Sequence, residues 1–291
     1  MRPSNVLVRS GLRYQLFAVL CVSAIIILSA PLKALLVLSL HDERYTYILA
    51  VPIVSAAFLY LEKARIFRAS RYCPAVGIPL ILLGLVVWFV SRICLSASEN
   101  VSVAAGVLVL LWIGAFNLCY GVKSFKEASF PFVFLLLIVP IPSTVLDRVV
   151  VWLQTGSAEI SYLLFRVAGI PVLRHGMVMS LPGVDIEVAP ECSGIRSTMG
   201  LFIVGAVLTR VILRTGWARS LTILCVGPIG IFRNAVRIVC ISVLGVYVDR
   251  GFLAGNLHRR GGLLFSLVGF AVLIPLVWLL RRWERYLVAV G

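Results

Sequence analysis

Apolar runs close to the ~20 residues needed to cross a bilayer recur along the whole chain. They lie near residues 14–32, 46–61, 74–95, 101–120, 129–146, 197–213, 220–246 and 263–280. So many long apolar surfaces do not fit inside one soluble core. Of the 291 residues, 61% are hydrophobic and 13% charged, against roughly 45–50% and about 25% in soluble domains. The expected fold is an all-α polytopic membrane protein with about eight transmembrane helices, a single integral membrane domain over residues 1–291.

The net charge of +15 is distributed between the apolar runs and not gathered on one basic face. Nucleic acid is therefore not an expected partner, whereas membrane lipids are. Arg2, Arg9 and Arg13 precede the first run, and Lys63, Arg65, Arg68 and Arg71 follow the second. Lys123 and Lys126 follow the fourth, Arg210, Arg214 and Arg219 the sixth, and Arg281, Arg282 and Arg285 the last. If the spans simply alternate, every one of these gaps falls on one side, which the positive-inside rule makes the cytoplasm. Residues 1–13 then form a cytoplasmic basic N-terminus and 281–291 a cytoplasmic basic tail. An uncleaved first helix fits better than a signal peptide, because Pro31 directly follows the small-residue candidate cleavage site.

That alternation requires residues 147–190 to stay outside the cytoplasm without crossing. Asp147–Ala168 mixes Asp147, Arg148, Gln154, Glu159 and Arg166 with Val, Trp, Leu and Phe, which suits an amphipathic helix at the outer interface or against the bundle. A ninth crossing there is the alternative. Val184–Val188 alternates strictly, Met177–Leu181 is strand-like, and Leu181-Pro182-Gly183 offers a turn. A small extracytoplasmic β-hairpin over 169–189 is expected, delivering the chain to Cys192, with an irregular loop as the alternative.

Cys192 stands in the polar stretch Val188-Ala-Pro-Glu-Cys-Ser-Gly-Ile-Arg-Ser197, just before an apolar run. Pro190 stops a helix from extending back through it, so Cys192 and Ser193 fall where a helix starts. Unpaired N–H groups and the positive end of the macrodipole there favour the thiolate. A packed, inert thiol is the competing reading. The seven cysteines form no C-x-x-C pair, and no phosphate-binding loop, zinc-binding H-E-x-x-H or dinucleotide fingerprint occurs. No metal and no cofactor is expected.

In the seventh run, Arg233, Asn234 and Arg237 interrupt apolar sequence, and intramembrane arginines are costly enough to mark function or a paired structural site. Arg237 lies 18 residues past Arg219, about 27 Å along a helix and hence near the outer face. Snorkelling to the interface would equally satisfy it. Arg196, four residues past Cys192, shares its helix face and either supports the site or anchors at the interface. His41, His175 and His258 are all placed outside, and from the residues alone each is a candidate base. Cysteine, histidine and arginine together suit acyl transfer at a peptide bond.

Glu191-Cys-Ser-Gly-Ile-Arg-Ser197, then Asn234-Ala-Val-Arg-Ile238, then His258 with Gly261, Gly262 and Phe265, resembles the exosortase/archaeosortase family. Phe130-Pro-Phe-Val-Phe-Leu135 through Val139-Pro-Ile-Pro142, Leu153-Gln154, Gly169-Ile-Pro-Val172 and Val51-Pro52-Ile53 extend the resemblance to about Tyr45–Trp278. Thr46-Tyr47 stands where many members show Ser-His. The resemblance implies an exosortase-type membrane cysteine transpeptidase of bacteria, multi-pass in the inner membrane, with its active site at the periplasmic face. It implies secreted protein substrates that bear a C-terminal sorting tail: a Pro-containing motif, a transmembrane helix and a basic cluster. An exopolysaccharide or lipid acceptor is a further implied partner. Carried over by motif, Cys192 is the nucleophile, Arg237 stabilises the tetrahedral intermediate and His258 is the acid/base. Glu191, Ser193, Arg196, Arg233 and Asn234 are supporting residues. The alternative from another class is a non-catalytic membrane component of exopolysaccharide export.

Overall fold

The computed structural model describes residues 3–254 and 262–290. The chain divides into two compact units, Met1–Pro142 and Ser143–Gly291. Six helices among the described residues are long and apolar enough to cross a membrane. The number reaches eight if each of two sharply bent helix pairs makes one span.

In the first unit, helix α1 (Pro3–Ile27) gives way at Leu28 to α2 (Ser29–His41). The two axes are bent by 76°, so the single helix expected over 14–32 is corrected to two. Pro31 falls in the first turn of α2, where a missing N–H costs nothing. A 3-10 turn, Glu43–Leu49, then leads into α3 (Ala50–Leu61). Helices α4 (Pro74–Cys94) and α5 (Ala97–Glu127) follow, the latter broken at Gly121 where φ is 82°. They touch along small residues: a Cβ added at Gly77 would lie 2.5 Å from Leu118 Cβ, and one at Gly114 2.8 Å from Ile81 Cγ1. Lipid supplies no hydrophobic force between helices, so such close approach is what holds them.

Residues 129–146 do not form one continuous helix; Ser129–Ile138 and Ser143–Val167 are bent by 93° at the break. Helix α6 covers only Ser129–Leu135, a 3-10 turn takes Leu136–Ile138, and Val139 is extended. Pro140 and Pro142 cause the break: neither has an N–H to donate, and each forces its predecessor out of the helical region.

The second unit opens with α7 (Ser143–Val167), four residues earlier than the start read from the sequence. Leu146, Val150, Leu153, Gln154, Ser157, Ala158, Ser161 and Phe165 form its buried face, at the three- and four-residue spacing of one helical stripe. Val151, Trp152 and Leu163 are exposed, so the helix is amphipathic as expected. Next comes a three-stranded antiparallel sheet, one strand more than a hairpin: β1 (Leu173–His175), β2 (Val178–Leu181) and β3 (Val184–Glu187), in that order. Gly183, at φ 78°, follows Pro182 in the β2–β3 turn, the residue pair that a type II turn selects. Met179, Leu181 and Val188 pack on Ala158 and Phe165 of α7 and on apolar residues that include Ile238 and Val243.

Helices α8 (Ile195–Ile212), α9 (Gly216–Tyr247) and α10 (Gly262–Val290) complete the unit. Their core holds Leu201, Val226, Ile229, Leu273 and Val277. At the α9 N-terminus the Glu284 carboxylate accepts from the Thr215 and Arg214 amides, at 2.8 Å and 3.1 Å. An anion is favoured at that end of a helix.

Candidate active site

Cys192 does not begin the helix. It lies in a separate 3-10 turn, Pro190–Ser193, and Gly194 at φ 75° divides that turn from α8. The macrodipole acts mainly within the first helical turn, so the thiol is one step removed from it. The turn is instead pinned from two helices. From α7, Gln154 Nε2 donates to the Val188 carbonyl. From α9, Asn234 Nδ2 donates to the Cys192 carbonyl at 2.7 Å and to Ser157 Oγ at 3.0 Å. Arg233 Nη2 donates to the Gly194 carbonyl at 3.2 Å, which also accepts from Thr198 Oγ1 at 2.9 Å. Arg233 is 3% exposed and Asn234 1%, so these bonds are shielded from water and from its competition.

A cavity of about 210 Å³ lies beside this turn. A cavity of ~150 Å³ takes a benzene ring, so this one has room for a sizeable side chain. Asp185, Ile186 and Glu187 of β3 with Val188 just after it form one wall; Arg237, Ile238, Ile241 and Ser242 of α9 form another, and Cys192 completes it. Thus a thiol and a guanidinium 45 residues apart in sequence (237 − 192) share one cavity. Both are half-buried, inside the protein yet reachable. Such a pair can attack a carbonyl carbon and hold the negative charge that develops on its oxygen.

The other residues named from the sequence divide. Arg233 is absent from the cavity lining and donates to the Gly194 carbonyl, whereas Arg237 lines the cavity. Asn234 acts on the main chain of the cysteine itself. Ser193 is buried, and its Oγ has no hydrogen-bond partner among the described residues. Arg196 is exposed and outside the lining. His175 is exposed on β1 and also outside the lining. His41 belongs to the first unit, with Nδ1 2.9 Å from the Val37 carbonyl. His258 and the side chain of Glu191 lie outside the described residues.

Sequence reasoning missed Gln154 and Ser157 as positioning residues, along with Asp185 and Glu187 in the cavity wall. The signal for the first two was present: polar residues on the apolar stripe of an amphipathic helix need buried partners.

Gly194 is a tightly constrained position of the turn. An added Cβ would lie 2.8 Å from Arg233 Nη2 and 2.9 Å from Asn234 Oδ1. The left-handed backbone adds about 1–2 kcal/mol for any L side chain. Gly194→Ala is therefore expected to cut activity at least ten-fold and to lower the thermal midpoint in detergent, whereas Gly200→Ala, with open space at its Cβ, leaves both near wild type.

A family model described as Transmembrane exosortase (Exosortase_EpsH) matches residues 39–275. No curated protein and no solved structure matches the chain. The matched stretch contains the cavity, the pinned turn and His258. The chain therefore belongs to the transmembrane exosortase family, and at the level of that family it is a multi-pass membrane transpeptidase acting on membrane-associated proteins.

Proposed function

We propose that the protein is a membrane-embedded cysteine protease/transpeptidase that removes the C-terminal sorting tail of secreted proteins through a thioester. The observation that carries this reading is the shared cavity of Cys192 and Arg237. Cys192 Sγ attacks the scissile carbonyl carbon, and the carbon–sulfur bond forms as the carbonyl electrons move onto oxygen. Arg237 holds that oxyanion with a fixed fork of donors. On collapse the C–N bond breaks, and the leaving amine takes a proton from His258. Water or an acceptor amine then attacks the thioester, His258 accepts the proton, and the thiolate leaves.

The cavity is assigned to the periplasmic side of the bacterial inner membrane, with both termini in the cytoplasm. The order of basic loops supports this sidedness. Residues 147–190 then supply the extracytoplasmic wall of the site.

The test is gain of function. A reporter ending in a Pro-containing motif, an apolar helix and an Arg/Lys cluster is expressed in a host without such an enzyme. Supplying the full chain is expected to shorten the reporter at the motif. A tail that stays intact, with the enzyme folded and in the membrane, contradicts the proposal.

A further inference from the structure

Strand β3 is one of the two edge strands of the sheet, and it is also a wall of the cavity that holds Cys192. Its register fixes which way each backbone group points. Val188 N–H donates to the Met177 carbonyl at 2.9 Å, and Met179 faces Ile186 while Leu181 faces Val184. In an antiparallel pair the hydrogen-bonded residues alternate, so Val184, Ile186 and Val188 bond inward to β2. Asp185 and Glu187 must then turn their N–H and C=O groups outward. Those four groups make no hydrogen bond among the described residues.

An open edge of this kind is a template for pairing and is normally covered or blocked. Here it borders the candidate nucleophile, five residues before Cys192 (192 − 187). The two outward-facing residues repeat at about 6.8 Å, the two-residue step of an extended chain. Alternating donors and acceptors at that repeat match a polypeptide backbone. The exposed carboxylates of Asp185 and Glu187 disfavour the phosphate of an anionic lipid at the same rim.

We propose that the outer edge of β3 is the substrate-docking strand. An extended segment of the protein being cleaved, next to the scissile bond, pairs with the main chain of Asp185 and Glu187 as a fourth strand. Main-chain pairing places the scissile carbonyl, and the cavity between β3 and α9 receives a neighbouring side chain. This rests on the reading of Cys192 as the nucleophile. It adds that the substrate is held as a strand and that Asp185 and Glu187 bind through backbone, not charge.

The test uses the full chain in nanodiscs and the tail-bearing reporter described above. Asp185→Pro and Glu187→Pro each delete one outward N–H and keep every inward bond, and proline is tolerated on a sheet edge. Each is expected to raise KM about five-fold, the effect of one lost hydrogen bond, with kcat little changed. Asp185→Asn and Glu187→Gln keep the outward N–H and are expected to raise KM less than the proline variants do. Wild-type KM in folded proline variants, or an equal rise in the amide variants, overturns the proposal.

A second measurement does not depend on the proline variants folding. Glu187→Cys in a Cys192→Ala background is oxidised with reporters carrying single cysteines on either side of the motif. Paired strands bring Cα atoms to about 4.5–5.5 Å, within disulfide reach. Cross-links at every second reporter position are expected. No cross-link, or equal cross-linking at consecutive positions, contradicts the docking strand. Continued cleavage by Cys192→Ala alone would instead overturn the reading of the nucleophile, so the two failures are distinguishable.

Discussion

Replacing Cys192 by alanine is expected to abolish tail processing, with a fall of about 10⁴-fold or more, as when the nucleophile of a covalent mechanism is removed. The fold should survive the change. Two main-chain bonds hold residue 192: the carbonyl accepts from Asn234 at 2.7 Å, and the amide donates to the Ala189 carbonyl at 2.8 Å. Alanine keeps both bonds. A thermal midpoint close to wild type, together with lost processing in a cleavage assay, separates a chemical role from a structural one. Cys192→Ser is expected to be nearly as inactive, because a hydroxyl is far less ionised than a thiol near neutral pH. Normal processing by Cys192→Ala would mean that the nucleophile is another group.

The second large effect is expected at Arg237. A lysine there keeps the charge but loses the planar fork, so it cannot reproduce donors aimed at a developing oxyanion. Losing one such donor costs about 10²–10³-fold in kcat, and Arg237→Lys is expected to fall in that range with KM changed less. Arg233 provides the contrast one helical turn away. It is almost fully buried, and its guanidinium serves the Gly194 carbonyl. Replacing it should lower the thermal midpoint as well as the activity, because burial leaves its partners without solvent to replace the lost bonds. Wild-type kcat in Arg237→Lys, with kcat lost in Arg233→Lys at unchanged stability, would move the oxyanion role to Arg233.

Some elements were plain in the sequence and others were not, for physical reasons. Helix α4 begins at Pro74 and ends at Cys94, against an expected 74–95, because an uninterrupted apolar run led by proline has one solution in a bilayer. The alternation of Val184–Glu187 likewise gave β3 directly. The break within 129–146 was not legible because apolar composition hides what Pro140 and Pro142 do to hydrogen bonding. The bend at Leu28 had a similar clue in Ser29 and Pro31, residues suited to a new helix start.

At the site, Cys192 and Arg237 were placed on one side by counting spans, and they line one cavity. The local geometry of the thiol was not legible. Whether Gly194 continues a helix or turns left-handed depends on Arg233 and Asn234 arriving from 39 and 40 residues away (233 − 194 and 234 − 194). Gln154 and Ser157 escaped notice because their role depends on which face of α7 is buried and on what packs there.

The central claim is that Cys192 carries the cleaved protein as a thioester beside Arg237. It is tested most directly by quenching the full-length enzyme in acid during turnover of the tail-bearing reporter and mapping the adduct by mass spectrometry. The account predicts the reporter's new C-terminus linked to Cys192, accumulating in wild type, released by hydroxylamine, and absent from Cys192→Ala. An adduct on any other residue, or cleavage that persists with no adduct in Cys192→Ala, would contradict it.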